Sequence, residues 1–546
     1  MSRAFAALSS IRKTTMSNMD KYESFFRYTS GRWLYNEKEQ LAIRYVRFNV
    51  DALKKVAAEA VGASYCTDIR KTHEAFNKIF MLRFDNNAEL VAKIPTPLVS
   101  PPHLCTASEV ATMDYVRNVM GLPVPKVFGW CSRAETTDVG AEYILMEKID
   151  GVCLQDCWQA MNADEAKAAI NDVVDAQCHF AHTRFSQIGS LFYKDDVDLS
   201  LRDRPLYANG TDGNSESPRF CIGPLMRWDL WCHDRHTLNV DHGPWPNLPS
   251  FLSALGRKQS EWLRLVAANR SQRCALRRAP RDESPDIHIR WIERFLTVLP
   301  HVVPPVELQV PVLWNDLEAT SLVVQPKDHH PVKAILDWQY SHLSPLFLQV
   351  RLCEAFLFEG DERITLPQEF SMPRKPPNYD SLPDDERAYL DREYELAVRQ
   401  RVYEGLLRER VPVTYTLLER PHQMQTHLGI LELSRTWYNG LHQLRDYLIQ
   451  LQLWWDDIAP SVPFPNPAGD EEIERHIVEC SGFEIYSENV EQLRKELGVD
   501  VDGWVSNERF DEVMRRSEEL KSAWNTKAMA GPWPFQDGRY SYYLDL

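Results

Sequence analysis

Two short apolar runs that follow each other closely leave little freedom in how this part of the chain folds. They span residues 78–84 (KIFMLRF) and 89–95 (ELVAKIP), and residues 85–87 (DNN) lie between them. Aliphatic and aromatic runs of this length favour β-strands, and Asp and Asn favour the tight turn that joins antiparallel strands. The sequence therefore predicts a β-hairpin, and with it an antiparallel sheet.

The next segment extends this sheet. Residues 107–120 have the pattern of a helix, and two further strand-like runs cover residues 126–131 and 141–149. Two strands, one helix and two more strands predict a small antiparallel sheet with a helix packed across it. The layout resembles the nucleotide lobe of kinases.

Two charged residues lie where such a lobe needs them. Lys93 is within the apolar run VAKIP, and Glu109 is near the start of the following helix. A lysine in an apolar strand must either reach solvent or meet an opposite charge, since burying it unpaired is costly. In kinases a Lys–Glu pair of this kind holds the lysine against the phosphates of ATP. The alternative is a solvated strand lysine and a glutamate favoured by the helix dipole.

The loop before the first strand departs from the usual nucleotide lobe. Residues 71–77 (KTHEAFN) occupy the place of the loop that covers the phosphates, and they contain no glycine. Close approach of backbone to phosphate usually needs glycine. The sequence therefore predicts a different loop geometry for any nucleotide contact here.

Two aspartates in the second half of the chain suit phosphoryl transfer. Asp316 follows the apolar run 310–314 (VPVLW), and Asp337 ends the run 332–338 (VKAILDW). In such a site one aspartate orients the substrate hydroxyl and the other holds Mg²⁺ against the phosphates. Aspartates at strand ends are also common for structural reasons, so the pattern alone leaves both interpretations open.

Four segments together resemble one known family. Residues 313–324 (LWNDLEATSLVV) and 334–339 (AILDWQ) resemble the catalytic and metal-binding segments of aminoglycoside phosphotransferase and choline-kinase-like proteins. Residues 76–84 (FNKIFMLRF) and 143–151 (YILMEKIDG) resemble the nucleotide lobe of that family. The similarity continues towards a fungal mitochondrial subgroup, for example in residues 28–34 (YTSGRWL). The resemblance implies an α+β, two-lobed protein kinase-like fold with a helical C-terminal extension.

The resemblance also implies roles for residues of the catalytic loop. Asp316 matches the catalytic base, and Asp337 matches the principal metal ligand. Ser321 stands where the family has a metal-binding Asn, Asn315 stands in the region of a His, and Glu318 replaces a second His. A serine hydroxyl is a shorter, neutral ligand, so it would hold a second Mg²⁺ less well or through water. The loop is therefore predicted to be degenerate.

In the nucleotide lobe, the resemblance makes Lys93 the phosphate-binding lysine and Glu109 its partner. Backbone groups of Met146, Glu147 and Lys148 match the hinge that receives adenine. The cofactors implied in this way are ATP and Mg²⁺, and the second substrate is an unknown small molecule that carries a hydroxyl group.

Composition excludes some classes of protein. The net charge of −16 argues against a nucleic-acid surface, because phosphate backbones are bound by clustered Lys and Arg. No apolar run approaches the roughly 18–20 residues that a membrane helix needs. Eleven scattered cysteines show no disulfide framework and favour a reducing compartment.

The N-terminal segment differs from the acidic remainder. It contains Arg3, Arg12, Lys13 and several Ser and Thr, with no acid before Asp20. Such segments are typical of mitochondrial transit peptides, and the alternative is an ordinary irregular start with a few basic residues. We therefore predict a transit segment over residues 1–19 and a mitochondrial location.

The predicted organisation has three parts after that segment. An N-terminal extension and the nucleotide-binding small lobe cover residues 20–149. The larger catalytic-type lobe covers residues 150–366, with an insertion at about 195–290, and a linker with a helical C-terminal extension covers residues 367–546. The predicted function is ATP-dependent transfer of phosphate to a small molecule. The alternative is a catalytically inactive pseudokinase that acts as a mitochondrial scaffold and binds a protein partner through its C-terminal helices.

Overall fold

The structure is a computed structural model that describes residues 21–208, 214–232, 235–267, 284–314, 317–349, 352–367, 370–413, 430 and 433–537. The β-strands within these ranges are short and form five sheets. In chain order they are β1 (Gly31–Trp33), β2 (Cys66–Glu74), β3 (Asn77–Phe84), β4 (Glu89–Pro95), β5 (Val127–Cys131), β6 (Tyr143–Glu147), β7 (Val152–Cys153), β8 (Ser190–Tyr193), β9 (Phe220–Gly223), β10 (Pro311–Trp314), β11 (Leu322–Val324), β12 (Val332–Ile335), β13 (His342–Pro345) and β14 (Trp504–Ser506).

The α-helices range from single turns to helices of 27 and 28 residues. In chain order they are α1 (Glu23–Phe26), α2 (Glu37–Ile43), α3 (Val50–Ala60), α4 (Leu104–Asn118), α5 (Leu154–Cys157), α6 (Ala163–His182), α7 (Leu199–Arg202), α8 (Leu248–Leu265), α9 (Pro285–Val302), α10 (Leu346–Gln349), α11 (Asp384–Arg410), α12 (Thr436–Asn439), α13 (His442–Leu453), α14 (Trp455–Ile458), α15 (Asp470–Leu497) and α16 (Phe510–Ala523). Within the described ranges, no helix is both long enough and apolar enough to cross a membrane.

A five-stranded antiparallel sheet forms the small lobe, with strand order β2-β3-β4-β6-β5. The predicted hairpin is present as β3 and β4, and Asn87 in its turn adopts a left-handed conformation that Asn tolerates. Alternate residues of these strands, such as Phe80 and Ala92, are fully buried in a core that α3 also lines. Helix α4 follows β4 and contacts β5 and β6 of the sheet.

The expectation that residues 71–77 form a loop is wrong for most of that segment. Strand β2 continues to Glu74, and the turn into β3 is confined to residues 75–76. The strand was missed because it is polar and lies at the sheet edge, where backbone pairing with β3 does not need an apolar pattern. Buried Glu74 anchors its end by accepting a hydrogen bond from Thr29 Oγ1 at 2.7 Å and pairing with Lys71 Nζ at 2.5 Å.

The larger lobe is built from small sheets between helices. Strands β12, β11 and β7 form one sheet, β8 pairs with β9, and β10 pairs with β13. Gly151 begins this lobe, and a Cβ there would lie 2.8 Å from the carbonyl oxygen of Val324. The connection from the small lobe therefore passes so close to β11 that only glycine fits without movement. Helix α6 packs against α11, which brings residues on both sides of the predicted linker together.

Two strands near the ends of the described chain pair with each other. Strand β1 lies antiparallel to β14, with Arg32 opposite Val505. Buried Trp33 donates from Nε1 to Asp502 Oδ2 at 2.8 Å, and the Arg44 guanidinium lies 3.9 Å from the same oxygen. The C-terminal extension is thus attached to the N-terminal extension as well as to the larger lobe. We call this pairing of β1 with β14 the terminal clasp.

Candidate functional site

The strongest candidate site begins with a buried ion pair in the small lobe. Strand β4 carries Lys93 and helix α4 carries Glu109, and the distance from Lys93 Nζ to Glu109 Oε1 is 2.6 Å. Both side chains are about 95% buried, with relative exposures of 5% and 4%. Unlike the solvated lysine of the alternative interpretation, Lys93 points inwards. Its neighbours on the strand, Ala92 and Ile94, are fully buried.

Asp337 supplies a second negative charge next to this pair. Burial opposes the charged form of Lys93, but the carboxylates of Glu109 and Asp337 outweigh it and raise the lysine pKa. Burial raises the pKa of Glu109, and the charge of Asp337 adds to that shift. Three groups from β4, α4 and the loop after β12 therefore act on one another electrostatically, and the hydrogen-bonded ion pair among them is that of Lys93 with Glu109.

Asp337 differs from the pair because it is open to solvent. It follows β12, adopts a left-handed backbone conformation with φ of 58°, and its side chain is exposed. The next residue, Trp338, is buried and donates from Nε1 to the Ile335 carbonyl oxygen at 2.8 Å. This anchor fixes the turn, so a solvent-facing carboxylate is held beside a buried ammonium. Carboxylate oxygens are the ligands that Mg²⁺ prefers.

Ser321 lies close to Asp337 in the structure, but its hydroxyl group forms hydrogen bonds with the backbone of a neighbouring residue. Its carbonyl oxygen accepts from the Leu336 amide at 2.7 Å, which ties it to the residue before Asp337. Its Oγ donates to the Glu318 carbonyl oxygen at 2.9 Å and accepts from the Glu318 amide at 3.2 Å. Asn315 and Asp316, the predicted catalytic base, lie outside the described residues.

The predicted hinge lies at the end of β6. Met146 pairs with Val91 of β4, and the Glu147 amide donates to the Lys126 carbonyl oxygen at 2.8 Å. The Lys148 ammonium lies 2.8 Å from Glu89 and 2.9 Å from Asp150. The end of β6 and the residues after it therefore lie at one side of the sheet, where the chain leaves the small lobe.

Two contacts between the lobes were not predicted from the sequence. Asn77, the first residue of β3, donates from Nδ2 to Gln339 Oε1 at 3.1 Å. The start of β3, directly after the turn at residues 75–76, therefore contacts the segment that follows Asp337. Tyr340 donates from its hydroxyl to the Ser100 carbonyl oxygen at 3.1 Å. The partners are 262 and 240 residues apart, and no local pattern signals such pairs.

Comparison with known proteins agrees with this geometry. The family model described as "Phosphotransferase enzyme family" (APH) matches residues 74–348, which is just over half of the chain. The chain belongs to this phosphotransferase family. The matched range contains Lys93, Glu109, Ser321 and Asp337, and it ends close to where α10 ends. The predicted fold class, an α+β two-lobed kinase-like fold with a helical C-terminal extension, is confirmed.

Curated relatives cover nearly the whole chain. A subtelomeric hrmA-associated cluster protein of Aspergillus fumigatus is 28% identical over 87% of this chain and 97% of its own length. Altered inheritance of mitochondria protein 9, mitochondrial, of Saccharomyces cerevisiae is 22% identical over 93% of this chain and 90% of its own. Both the phosphotransferase family and the distant similarity to this mitochondrial protein agree with the resemblance seen in the sequence.

Some solved structures also align with the chain. A putative fructosamine-3-kinase from Thermobifida fusca is 14% identical, with a TM-score of 0.37 over 73% of this chain and 99% of its own. A thermostable aminoglycoside phosphotransferase in ternary complex with ADP and hygromycin B is 12% identical, with a TM-score of 0.36 over 72% of this chain and 96% of its own.

Proposed function

We propose that this chain binds ATP and Mg²⁺ between its lobes and transfers the γ-phosphoryl group to a hydroxyl of a small molecule. The observation that carries the proposal is the buried Lys93–Glu109 pair with the exposed carboxylate of Asp337 beside it. A structural ion pair needs no third charge, whereas a phosphate site needs a fixed cation and a nearby metal ligand. Membership of the phosphotransferase family supports the same conclusion.

The residues present fit ATP and Mg²⁺. Glu109 Oε2 is buried and has no hydrogen-bond partner among the described residues, so Glu109 is held by its lysine alone. Lys93 would bind the phosphates while Glu109 fixes its position, and Asp337 would hold Mg²⁺, which neutralises charge on the transferred group. Asp316 would orient the acceptor hydroxyl. The Glu147 amide already donates within the sheet, so within residues 146–148 adenine would meet mainly the backbone of Lys148.

A second candidate function is a pseudokinase that binds nucleotide weakly or serves as a scaffold. The observation that favours it is Ser321, whose hydroxyl bonds to the backbone of Glu318 instead of projecting freely as a ligand. The absence of glycine from residues 71–77 points the same way. A displaced catalytic group can lower a rate on the order of 10²-fold. We therefore infer a degenerate loop in which nucleotide binding is better preserved than catalysis.

We expect Mg²⁺ and ATP together to raise the melting temperature of the purified chain. A ligand that binds only the folded state stabilises it by roughly 2.7 kcal/mol at a hundred times its dissociation constant. The shift should disappear in Asp337→Ala and persist in Asp138→Ala, which removes another exposed aspartate of the small lobe. Differential scanning fluorimetry measures all three proteins with ATP alone, Mg²⁺ alone and both.

The same samples separate the two candidate functions. Release or transfer of radiolabelled γ-phosphate that is lost in Asp316→Asn supports a phosphotransferase. A Mg²⁺-dependent shift without turnover supports a nucleotide-binding pseudokinase. Equal melting temperatures with and without millimolar Mg²⁺ and ATP, in a well-folded sample, would leave only the scaffold.

We also propose a mitochondrial location, supported by the basic, acid-poor residues 1–19 and by the mitochondrial relatives at 22% identity. These residues lie outside the described part of the chain. A C-terminal fluorescent fusion should co-localise with mitochondria, and replacement of Arg3, Arg12 and Lys13 by Gln should release it to the cytosol. The same distribution for both fusions would contradict a transit role of this segment.

A further inference from the structure

Two helices of the C-terminal extension bring three metal-binding side chains together. Helix α13 carries Asp446, and helix α15 carries His476 and Cys480. His476 Nε2 lies 3.4 Å from Asp446 Oδ1 and 3.3 Å from Cys480 Sγ. In the part of the chain that the structure describes, this is the one group of three or more His, Cys, Asp or Glu side chains whose ligand atoms all lie within 4.8 Å of one another.

Two of the three distances between the ligand atoms match a tetrahedral zinc site, and the third pair, Asp446 and Cys480, lies within 4.8 Å. Bonds from Zn²⁺ of about 2.3 Å to sulfur and 2.0–2.2 Å to nitrogen and oxygen place neighbouring ligand atoms about 3.4 to 3.6 Å apart. The two contacts that His476 makes are within a few tenths of an ångström of that range. One thiol, one imidazole and one carboxylate also form a donor set that suits Zn²⁺ and does not suit Mg²⁺.

The helices that carry these residues also contact each other through side chains next to the cluster. His476 and Cys480 are four residues apart, so they lie on the same face of α15. Close to them, the rings of His442 and Phe483 have centroids 3.8 Å apart, and Arg445 Nη1 donates to Glu479 Oε2 at 2.8 Å. Ligands on packed helices are positioned more accurately than ligands on loops.

An ion can reach the cluster from solvent. The carboxylates of Asp446, Glu479 and Glu484 and the guanidinium of Arg445 all act on the half-buried Cys480 thiol. His476 is buried, with 4% exposure, whereas the Asp446 side chain is 55% exposed and reaches solvent. A cavity between α9 and α15 is also lined by His476, but its other charged lining residues include four arginines and three glutamates, so the exposed side of Asp446 is the more favourable path for a cation.

We propose that Asp446 Oδ1, His476 Nε2 and Cys480 Sγ bind one Zn²⁺ ion, with water in the fourth position, and that the ion fastens α13 to α15. Binding replaces the Sγ–H bond by a Zn–S bond and releases that proton to solvent. The imidazole is neutral and keeps its proton on Nδ1. The site lies in the C-terminal extension, outside the range matched by the phosphotransferase family, and does not depend on nucleotide binding.

The test compares metal content in full-length proteins that have been stripped with chelator and reloaded with ZnCl₂. We expect the unmodified chain to hold one more equivalent of zinc than Cys480→Ser or His476→Gln, measured by plasma mass spectrometry after desalting. Cys178→Ser is the matched control, because Cys178 is also a half-buried helix cysteine, and it should keep the full content. Loading with Co²⁺ should give a thiolate charge-transfer band that is absent only from the first two variants.

A second measurement needs no variant and covers the case in which the variants fail to fold. Alkylation of Cys480 in the unmodified chain, followed by peptide mass spectrometry, should slow at least tenfold when ZnCl₂ is present. Equal zinc content in all proteins, or an unchanged alkylation rate, would overturn the proposal. The contact of His476 with Cys480 would then be an ordinary hydrogen bond between a thiol and an imidazole.

Discussion

Replacing Lys93 by methionine should lower the free energy of unfolding by about 3 to 5 kcal/mol, the usual loss when one partner of a buried ion pair is removed. The methionine keeps the volume of the side chain but leaves Glu109 buried beside the charge of Asp337. Urea unfolding followed by tryptophan fluorescence measures the loss. Lys148→Met is the matched control: Lys148 forms ion pairs near the surface, so its removal should change stability by at most about 1 kcal/mol.

The loss in Lys93→Met should depend on pH in a defined direction. Burial raises the pKa of Glu109 in the unmodified chain and Lys93 opposes that shift, so removal of Lys93 should raise the pKa further and make the folded variant bind a proton still more tightly. A group of this kind contributes stability that is complete at low pH and is lost as the pH rises through the folded-state pKa. The loss of stability in the variant relative to the unmodified chain should therefore shrink as the pH falls and grow as the pH rises through the pKa of Glu109. A difference that does not change with pH would show that Glu109 is not the group left unpaired.

The double variant Lys93→Met with Glu109→Met should recover most of the lost stability, because neither charge then remains buried alone. Recovery of folding without recovery of the Mg²⁺–ATP shift would separate the structural role of the pair from its proposed role in binding phosphate. If the double variant is as unstable as the single one, the loss arises from packing around the methionine.

Asp502→Ala should lower the free energy of unfolding by a similar amount, about 3 to 5 kcal/mol. Asp502 is buried, accepts from Trp33 Nε1 at 2.8 Å and from the Trp504 amide at 3.0 Å, and lies beside the Arg44 guanidinium. Its removal takes a charge partner from buried Arg44 and two hydrogen bonds from the terminal clasp. Hydrogen exchange should show faster exchange in β1 and β14 before any change in the small-lobe sheet.

Two variants calibrate this result. Asp502→Asn keeps an oxygen for Trp33 but removes the charge, so it should lose less than Asp502→Ala. Asp500→Ala removes an exposed carboxylate two residues away and should stay within about 0.5 kcal/mol of the unmodified chain. Equal losses for Asp500→Ala and Asp502→Ala would show that the buried contacts contribute little.

The small lobe could be predicted where a local pattern determines the structure. The hairpin of β3 and β4 follows from two apolar runs around an Asp/Asn turn, and its strands match the predicted ranges to within one residue. Strand β2 could not be predicted in this way, because an exposed edge strand needs only backbone partners and its side chains are polar. The prediction of a loop was wrong because it took the lack of an apolar pattern as evidence against a strand.

In the candidate site, too, a local sequence pattern indicates some contacts and gives no sign of others. Lys93 stands out because a lysine within an apolar strand needs a charge partner, and a glutamate sixteen residues later lies within reach on the next helix. The engagement of Ser321 with Glu318, and the contact of Asn77 with Gln339, depend on backbone geometry and on residues distant in sequence. The roles of Lys93, Glu109, Asp337 and Asp316 in binding and catalysis stay predictions.

The terminal clasp also sets the order in which the protein can be completed during synthesis. Trp33 and Asp502 are 469 residues apart in the chain. At roughly 5–20 residues per second, a ribosome needs on the order of 20 to 90 seconds to make the intervening segment. Strand β1 therefore leaves the ribosome long before its partner exists, and its exposed edge must wait for β14. The clasp can therefore close only after nearly all of the remaining structure has been synthesised, so the two extensions are joined late in the formation of the native fold.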